Sequence, residues 1–366
     1  MSKAAELAAL IGSQTALSNR NLIINGAMQV AQRGTSATFS TSSEGYLVAD
    51  RFAFSMNGTS TVYTASQDTT APDGFANSLK LDCTTADASL SAGDFTQLHY
   101  RIEGQDLQQL QKGTSGAKKV TISFYVRSPK TGTHILEIQD RDNTRSISKA
   151  YTVSSANTFE YKEVTFDGDT SGALNNDNGE SFRLTWWLQA GSTYTSGTLA
   201  TSWESTTSAN RAVGQVNIGD DAANNFFISG IQMEIGEQAT PFEHRSFGDE
   251  LQRCKRYYQR WDATALDSTS NKPIGAGVWN GATQVLASFT YDEMRASPTF
   301  TASSTDFVKA YGGGFAEARS GGNGLDSIGT KAARFNFTVS TSRTAGEGTM
   351  IQMHNNGEYL ELDAEL

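Results

Sequence analysis

The chain has 366 residues, enough for two or three domains, and 37% of them are hydrophobic. No apolar run reaches the roughly 18 residues of a transmembrane helix, so membrane insertion is excluded. The 39 acidic residues outnumber the 29 basic ones, and the resulting net charge of −10 disfavours nucleic-acid binding.

The composition predicts an all-β chain. There are 34 Gly and only 5 Pro, with many Ser, Thr and Asn residues. Gly and Asn favour turns, whereas Thr suits strands, so many short strands joined by polar turns are expected. The two cysteines, Cys83 and Cys254, lie far apart and form no CxxC pattern. We expect both to be buried thiols rather than a disulfide or a metal site.

Residues 3–17 are predicted to form a short helix. Its seam residues recur at alternating spacings of three and four, as in a coiled coil, and they are Leu7, Leu10, Gln14 and Leu17. Two heptads cannot hold a helix in water alone, so this helix must dock on something. We expect residues 1–19 to serve self-association or anchoring. Docking on the chain's own β domain remains the alternative.

Residues 20–246 show the two-residue rhythm of β-strands. The segments KKVTISFYVRS, HILEIQDRD and ESFRLTWWLQAGS alternate apolar and polar side chains, and NNFFISGIQMEIGE reads as a further strand. Turn sequences such as SPKTGT and NNDNGE separate the runs. We expect a first strand at 22–24. The pattern predicts sheets with one buried and one wetter face, stacked as a β-sandwich.

The pattern changes near residue 246. Ser246 or Asp249 can cap a helix, and Leu251, Cys254, Tyr258 and Trp261 then follow at spacings of three, four and three. This predicts a helix over 247–261 that links two β units. Residues 262–366 are predicted to form a second, smaller β-sandwich domain, because TQVLASFTYDEM, AARFNFTVSTS and EYLELDAEL return to strand alternation.

Two aromatic residues, Tyr125 and Trp187, fall on the polar-patterned sides of their predicted strands. An aromatic ring can pack against the apolar face of a sugar while polar neighbours bind its hydroxyl groups. A candidate glycan site therefore joins these rings to their polar neighbours Arg127, Glu137, Gln139 and Arg183. The alternative is that a loop or helix covers this face and buries the rings.

The sequence contains no catalytic signature. GxSxG, HExxH, P-loop and strand-embedded GxGxxG motifs are absent, and the four histidines are scattered, so no catalytic or cofactor-binding residue is predicted. The loop carboxylates can serve either as calcium ligands or as turn caps, without the spacing of an EF-hand. These carboxylates are Asp140, Asp142, Asp220 and Asp221.

Four longer blocks resemble a known family. Recurring segments of the tail fibre or virion fibre proteins of phages of marine and other aquatic bacteria are similar to four blocks of this chain: RNLIINGAMQVAQRGTS, YLVADRFAF, RIEGQDLQQLQKGTSGAKKVTISFYVRSPKTGTHILEI and GIQMEIGEQATPFEHRSFGDELQRCKRYYQRW. The resemblance covers about residues 19–261. It implies a jelly-roll β-sandwich like that of carbohydrate-binding modules. It carries over no catalytic residue and does not locate the sugar site.

The resemblance implies a non-enzymatic virion component, a fibre or spike subunit for host attachment or surface decoration. Such a protein assembles in the host cytoplasm, where free thiols are expected. Fibres are usually symmetric homo-oligomers, so we expect a homotrimer held to other virion proteins through its N-terminus, with host-surface glycans as candidate ligands. The alternatives are a stand-alone carbohydrate-binding module or a polysaccharide depolymerase. Head and tail locations both remain open.

Overall fold

The computed structural model describes residues 19–263, 272–312, 315–354 and 357–366. They belong to two compact units: one runs to Leu251 and includes Leu366, and the other is Gln252–Glu365. Strands dominate both units, so the predicted all-β class is confirmed. The predicted helix over 3–17 lies outside the described residues, together with Leu7, Leu10, Gln14 and Leu17.

The first unit is built from thirteen described strands. In chain order they are β1 (Ser36–Phe39), β2 (Glu44–Tyr46), β3 (Phe52–Asn57), β4 (Val62–Asp68), β5 (Ser78–Thr85), β6 (Phe95–Glu103), β7 (Val120–Arg127), β8 (Gly132–Asp140), β9 (Arg145–Val153), β10 (Glu160–Phe166), β11 (Glu180–Ala190), β12 (Glu204–Ser205) and β13 (Asn225–Ile235). A one-turn helix, α1 (Ser192–Thr195), follows β11. Short 3-10 turns occur at Gly104–Asp106, Gln108–Leu110, Ser208–Asn210 and Ile218–Asp220.

Within the described residues, these strands form two antiparallel sheets that face each other. The six-stranded sheet has the order β1-β4-β5-β13-β7-β10, and the seven-stranded sheet has the order β12-β9-β8-β11-β6-β3-β2. Successive strands pass repeatedly from one sheet to the other, as in a jelly-roll sandwich. The predicted jelly-roll β-sandwich is confirmed.

The core of the first unit lies between the two sheets. Ile122 and Phe124 of β7 face Leu184 and Trp186 of β11, and all four side chains are fully buried. Trp186 packs edge-on against Phe124, with ring centroids 5.8 Å apart. Burying side chains of this size stabilises the fold by about 1.5–3 kcal/mol each. The apolar half of the predicted alternation therefore supplies the core.

The predicted strand at 22–24 is wrong. This segment is a loop, because its backbone N–H groups donate to scattered partners instead of a strand ladder: Leu22 to the Met233 carbonyl oxygen, Ile23 to Asn21 Oδ1 and Ile24 to the Tyr100 hydroxyl. Asn25 Nδ2 donates to the carbonyl oxygens of Val30 and Asp50, and Asn25 Oδ1 accepts the Val30 N–H at 2.9 Å. Asn25 also has a positive φ of 62°, which breaks an extended backbone.

The second unit contains ten described strands. They are β14 (Tyr258–Asp262), β15 (Pro273–Trp279), β16 (Gln284–Thr290), β17 (Thr299–Ala302), β18 (Val308–Gly312), β19 (Phe315–Ala318), β20 (Gly321–Asp326), β21 (Ala332–Thr338), β22 (Gly348–Met353) and β23 (Tyr359–Asp363). They form a three-stranded sheet, β14-β23-β17, and a seven-stranded sheet, β19-β18-β22-β15-β16-β21-β20. Phe289 and Phe335 share one core with Leu360 and Leu362, which gives the smaller second sandwich that the sequence predicts.

The predicted helix over 247–261 is correct only in its first part. Helix α2 (Phe247–Lys255) begins beside Ser246, whose hydroxyl accepts the Asp249 N–H and donates to the Asp249 carboxylate. The helix ends at Lys255, and β14 pairs with β23 along its whole length. Tyr258 and Trp261 fit a helical spacing, but aromatic residues also favour strands, and this pairing decides between the two.

Among the residues that the structure describes, no helix has the length and apolar character of a membrane span.

Both cysteines are buried free thiols, as predicted. Burial and, to a smaller extent, the nearby carboxylates of Asp221, Asp82 and Asp220 together raise the pKa of the Cys83 thiol to about 11. The thiol therefore stays protonated at neutral pH and is a poor nucleophile.

Candidate functional site

The six residues of the predicted glycan site do not share one face. Tyr125 and Arg127 lie on β7, in the six-stranded sheet. The other four lie on β8 and β11 of the opposite sheet, and they are Glu137, Gln139, Arg183 and Trp187. Each group points away from the shared core, so the two groups occupy opposite outer faces of the sandwich. Alternation assigns a residue to the outer side of its own sheet, but it does not say which strands belong to the same sheet.

Trp187 is fully buried, so it does not present a ring to a sugar. The segment 191–216 covers this part of the seven-stranded sheet. Tyr194 packs on the indole with ring centroids 5.2 Å apart, and the Arg211 guanidinium lies 4.9 Å from the indole centroid. The indole N–H donates to Glu137 Oε2 at 3.1 Å. Trp187 therefore anchors a loop, which is the alternative that the sequence left open.

The polar members of this group are engaged as well. Arg211 donates from Nε and Nη2 to the two oxygens of Glu137, at 2.8 and 2.9 Å, and the Glu137 carboxylate is fully buried. Gln139 is also buried, and Arg183 makes a two-bond ion pair with Glu180. The Arg211–Glu137 pair holds the 191–216 segment to the sheet, so Glu137 is not free to bind a sugar, and burial keeps Gln139 from one.

The loop carboxylates form ion pairs and cap turns. Lys112 Nζ lies 2.5 Å from Asp140 and 3.1 Å from Asp169, and it donates to the carbonyl oxygens of Ser171 and Gly172. An internal ammonium group therefore occupies an oxygen-lined cage of the kind that suits a cation.

The remaining candidate calcium ligands have protein partners. Asp142 accepts the backbone and side-chain N–H groups of Asn175, Asp220 pairs with Lys130, and Asp221 caps the turn at Ala223. No cluster of three or more His, Cys, Asp or Glu residues in the described ranges could hold a metal ion.

A pocket of about 510 Å³ opens on the outer face of the six-stranded sheet. Its aromatic lining consists of Phe75, Tyr125, Tyr161, Phe242 and His244. The Phe75 ring lies centrally, with centroid distances of 5.6 Å to Tyr125, 5.0 Å to Phe242 and 5.1 Å to His244. The Tyr125 and Tyr161 centroids are 5.2 Å apart. This cluster is the aromatic pocket of the first unit.

The sheet itself creates the space for these rings. Antiparallel pairing of β10 with β7 places Tyr161 directly opposite Tyr125. Strand β13 is irregular between Ser229 and Gln232, where Gly230 has a φ of +62°. A Cβ atom on Gly230 would lie 2.7 Å from Phe75 Cζ and 3.0 Å from Tyr125 Cδ2. A glycine in a β-bulge is therefore required beneath the two rings.

Polar groups complete the aromatic pocket. They are Asp73, Ser123, Glu163 and Thr240. Glu163 Oε1 accepts the Ala239 N–H at 2.8 Å, whereas Asp73 is exposed and has no ion pair or hydrogen-bond partner among the described residues. Burial raises the pKa of Tyr161 and outweighs an opposing hydrogen bond from Ser123, and the negative charge of Glu163 raises it further. The Tyr161 phenol is therefore neutral at ordinary pH and can donate or accept a hydrogen bond.

The sequence identified only one residue of this pocket, Tyr125. Tyr161 and Glu163 could have been found, because EYKEVTF places them on the side opposite the buried Val164 and Phe166. Phe75, Phe242 and His244 lie outside strands, where no periodic signal exists. Only the folded chain brings these loop rings to the sheet.

The chain matches no family model and no curated protein. Among solved structures it is similar to the enzymatically active domain of bacteriophage CBA120 tailspike protein 4, with a TM-score of 0.31, 11% identity, and coverage of 59% of this chain and 22% of that one. It is also similar to TmCBM61 in complex with β-1,4-galactotriose (TM-score 0.30, 9% identity, coverage 60% and 100%). A third is the family 11 carbohydrate-binding module of a Clostridium thermocellum cellulase (TM-score 0.26, 9% identity, coverage 61% and 100%). These values are too low to assign a family or an activity.

Proposed function

We propose that the first unit binds a glycan in the aromatic pocket and does so without chemical turnover. The observation that carries the proposal is the lining itself, in which five aromatic rings lie beside hydroxyl and carboxylate groups. Its volume of about 510 Å³ falls within the range of about 300–1,000 Å³ that is usual for ligand pockets. Aromatic faces can stack on the C–H groups of a pyranose, and the polar rim can bind its hydroxyl groups.

Replacing Tyr161 with Ala is expected to weaken glycan binding about tenfold, because it removes one stacking face, worth about 1.4 kcal/mol. Tyr161 is 46% exposed, so the change should leave the fold intact. Ligands are first found on an array of bacterial surface polysaccharides, and their affinities are then measured by titration calorimetry. Tyr311→Ala is the matched control, because Tyr311 is 42% exposed but lies on β18 of the second unit. If both variants lose the same glycan affinity, or if neither loses any, the aromatic pocket is not the binding site.

We further propose that the protein is a virion fibre or spike subunit that acts in host attachment. The resemblance of residues 19–261 to phage fibre proteins supports this role, as does the absence of catalytic motifs from the sequence. A stand-alone carbohydrate-binding module is the second candidate. A polysaccharide depolymerase would cleave a bound polymer and release new reducing ends. Because we propose binding without turnover, we expect no new reducing ends after incubation with a polysaccharide that the protein binds.

The two candidates differ in oligomeric state and in location. A fibre subunit is expected to be a trimer in light scattering of the full chain and to be found on phage particles by antibody labelling in electron microscopy. A monomer at all concentrations that is absent from particles would instead favour the stand-alone module.

A further inference from the structure

The ionisable groups that face the aromatic pocket are mostly acidic. Asp73 comes from the loop after β4, and Glu163 comes from β10. His244, in the segment after β13, is the only basic side chain that lines the pocket in the described part of the chain. Glu234 lies near Tyr161 and accepts hydrogen bonds from the backbone and hydroxyl of Thr240, and Arg20 Nε lies 3.8 Å from its carboxylate and partly balances its charge. The lining itself therefore carries two carboxylates against one imidazole, an excess of acidic groups.

Nearby cations are held by other groups. Arg20 donates from Nη2 to the Pro241 carbonyl oxygen at 2.6 Å and lies 3.8 Å from the Glu234 carboxylate. Arg127 leaves β7 two residues after Tyr125, but its guanidinium lies 4.8 Å from the Phe227 centroid and donates to the Asn157 carbonyl. Lys119 pairs with Asp167 and Glu237. None of these three side chains lines the pocket. The carboxylates of Asp73 and Glu163 are exposed, and only one oxygen of Glu163 accepts a hydrogen bond from the described residues.

Aromatic faces and carboxylates attract the same kind of ligand group. The face of a Tyr or Phe ring carries negative electrostatic potential and binds ammonium groups at distances up to about 6 Å from its centroid. Neighbouring centroids in the pocket are 5.0–5.6 Å apart, so one cation can contact more than one ring. A ligand carboxylate would meet the ring faces and two like charges, and His244 is the one basic side chain among the described lining residues.

We infer that the aromatic pocket selects glycans that carry a protonated amino group and rejects those that carry carboxylates. The inference rests on the proposed glycan-binding function and specifies its ligand class. The ammonium group sits against the faces of Tyr125 and Tyr161, and the carboxylates of Asp73 and Glu163 supply the countercharge. The rest of the sugar contacts Phe75 and Phe242.

The test compares three oligosaccharides of equal length at about pH 5.5, where glucosamine amines are protonated and uronate carboxyls are ionised: a tetramer of glucosamine, its fully N-acetylated counterpart, and tetragalacturonate. Titration calorimetry is expected to show at least tenfold tighter binding of the free amine than of the acetylated tetramer, and no binding of the uronate. The preference for the amine should shrink as salt is added, because exposed charges are screened.

A double variant, Asp73→Asn with Glu163→Gln, removes both charges and keeps the side-chain shapes. It is expected to lose most of the preference for the amine while binding the acetylated tetramer as before. Asp292→Asn, an exposed carboxylate change in the second unit, serves as the control.

The outcomes separate this inference from the proposed function. If the free and acetylated amines bind equally and both lose affinity in Tyr161→Ala, the pocket binds glycans but does not select for charge, and the inference fails alone. The inference also fails alone if only uncharged or acidic glycans bind on the array. If no glycan binds at all, both proposals fail.

Discussion

Replacing Lys112 with Met is expected to lower the free energy of unfolding by about 3–5 kcal/mol. The Lys112 side chain is only 3% exposed, and its ammonium group contacts the carboxylates of Asp140 and Asp169, which are equally inaccessible. Met fills a similar volume but leaves these buried charges without part of their countercharge. It also leaves the carbonyl oxygens of Ser171 and Gly172 without their donor.

The measurement is equilibrium unfolding in urea, followed by tryptophan fluorescence. Lys119→Met is the matched control, since Lys119 is 43% exposed and pairs with the exposed Asp167 and Glu237. Surface pairs of this kind contribute about 0–1 kcal/mol, so the control should remain close to wild type. If both variants lose the same free energy of unfolding, the buried ion pairs of Lys112 stabilise the fold no more than a surface pair does.

At acidic pH, the difference in unfolding free energy between the wild type and Lys112→Met is expected to become smaller. Burial raises the pKa of Asp169, but hydrogen bonds from Arg145, from the Ser171 N–H and from Lys112 outweigh it and hold this pKa below its ordinary value of 3.8. A carboxyl group with a lowered pKa stabilises the fold above its unfolded pKa and loses that contribution as the pH falls through its folded pKa. The difference between the two proteins is therefore expected to shrink as the pH falls below about 4. If this difference in unfolding free energy stays constant with pH, the ion pairs of Lys112 are not its cause.

Trp187→Ala is expected to cost about 3–5 kcal/mol of folding free energy and to leave glycan affinity unchanged. The loss of the buried indole opens a cavity under Tyr194 and removes the donor to Glu137. The 191–216 segment would then lose its main apolar contact with the seven-stranded sheet. Urea unfolding gives the stability, and titration with a glycan ligand of the wild type gives the affinity.

Trp187→Phe keeps most of the buried surface and serves as the milder variant if the Ala variant does not fold. It removes the hydrogen bond to Glu137, for which about 1–3 kcal/mol is expected. If the folded Phe variant loses glycan binding, the glycan binds on the seven-stranded sheet. It would also overturn the assignment to the aromatic pocket.

Several elements of the fold were within reach of sequence reasoning. The alternation in β7 and β11 correctly separates Phe124 and Trp186, which fill the core, from Tyr125 and Trp187, which point outward. The Ser246 cap marks the start of α2. These features succeed because side-chain direction in a strand and hydrogen bonding at a helix end depend on a few neighbouring residues.

The candidate site was harder to predict, because it depends on residues far apart in the chain. An outward side chain can face solvent, as Tyr161 does, or lie beneath a loop, as Trp187 does, and alternation is the same in both cases. The end of α2 was missed for a related reason. Tyr258 and Trp261 suit either a helix or a strand, and the pairing of β14 with β23 is a long-range contact.

What the sequence by itself determined is the strand rhythm, the all-β class, the apolar residues of the core and the burial of the two thiols. Each follows from local periodicity and composition. The tertiary structure alone decided which sheet each strand joins, that the 191–216 segment covers Trp187, and that Phe75, Phe242 and His244 meet Tyr125 and Tyr161 in one pocket. These outcomes depend on strand order and loop packing, which arise only when distant segments bury their surfaces against one another.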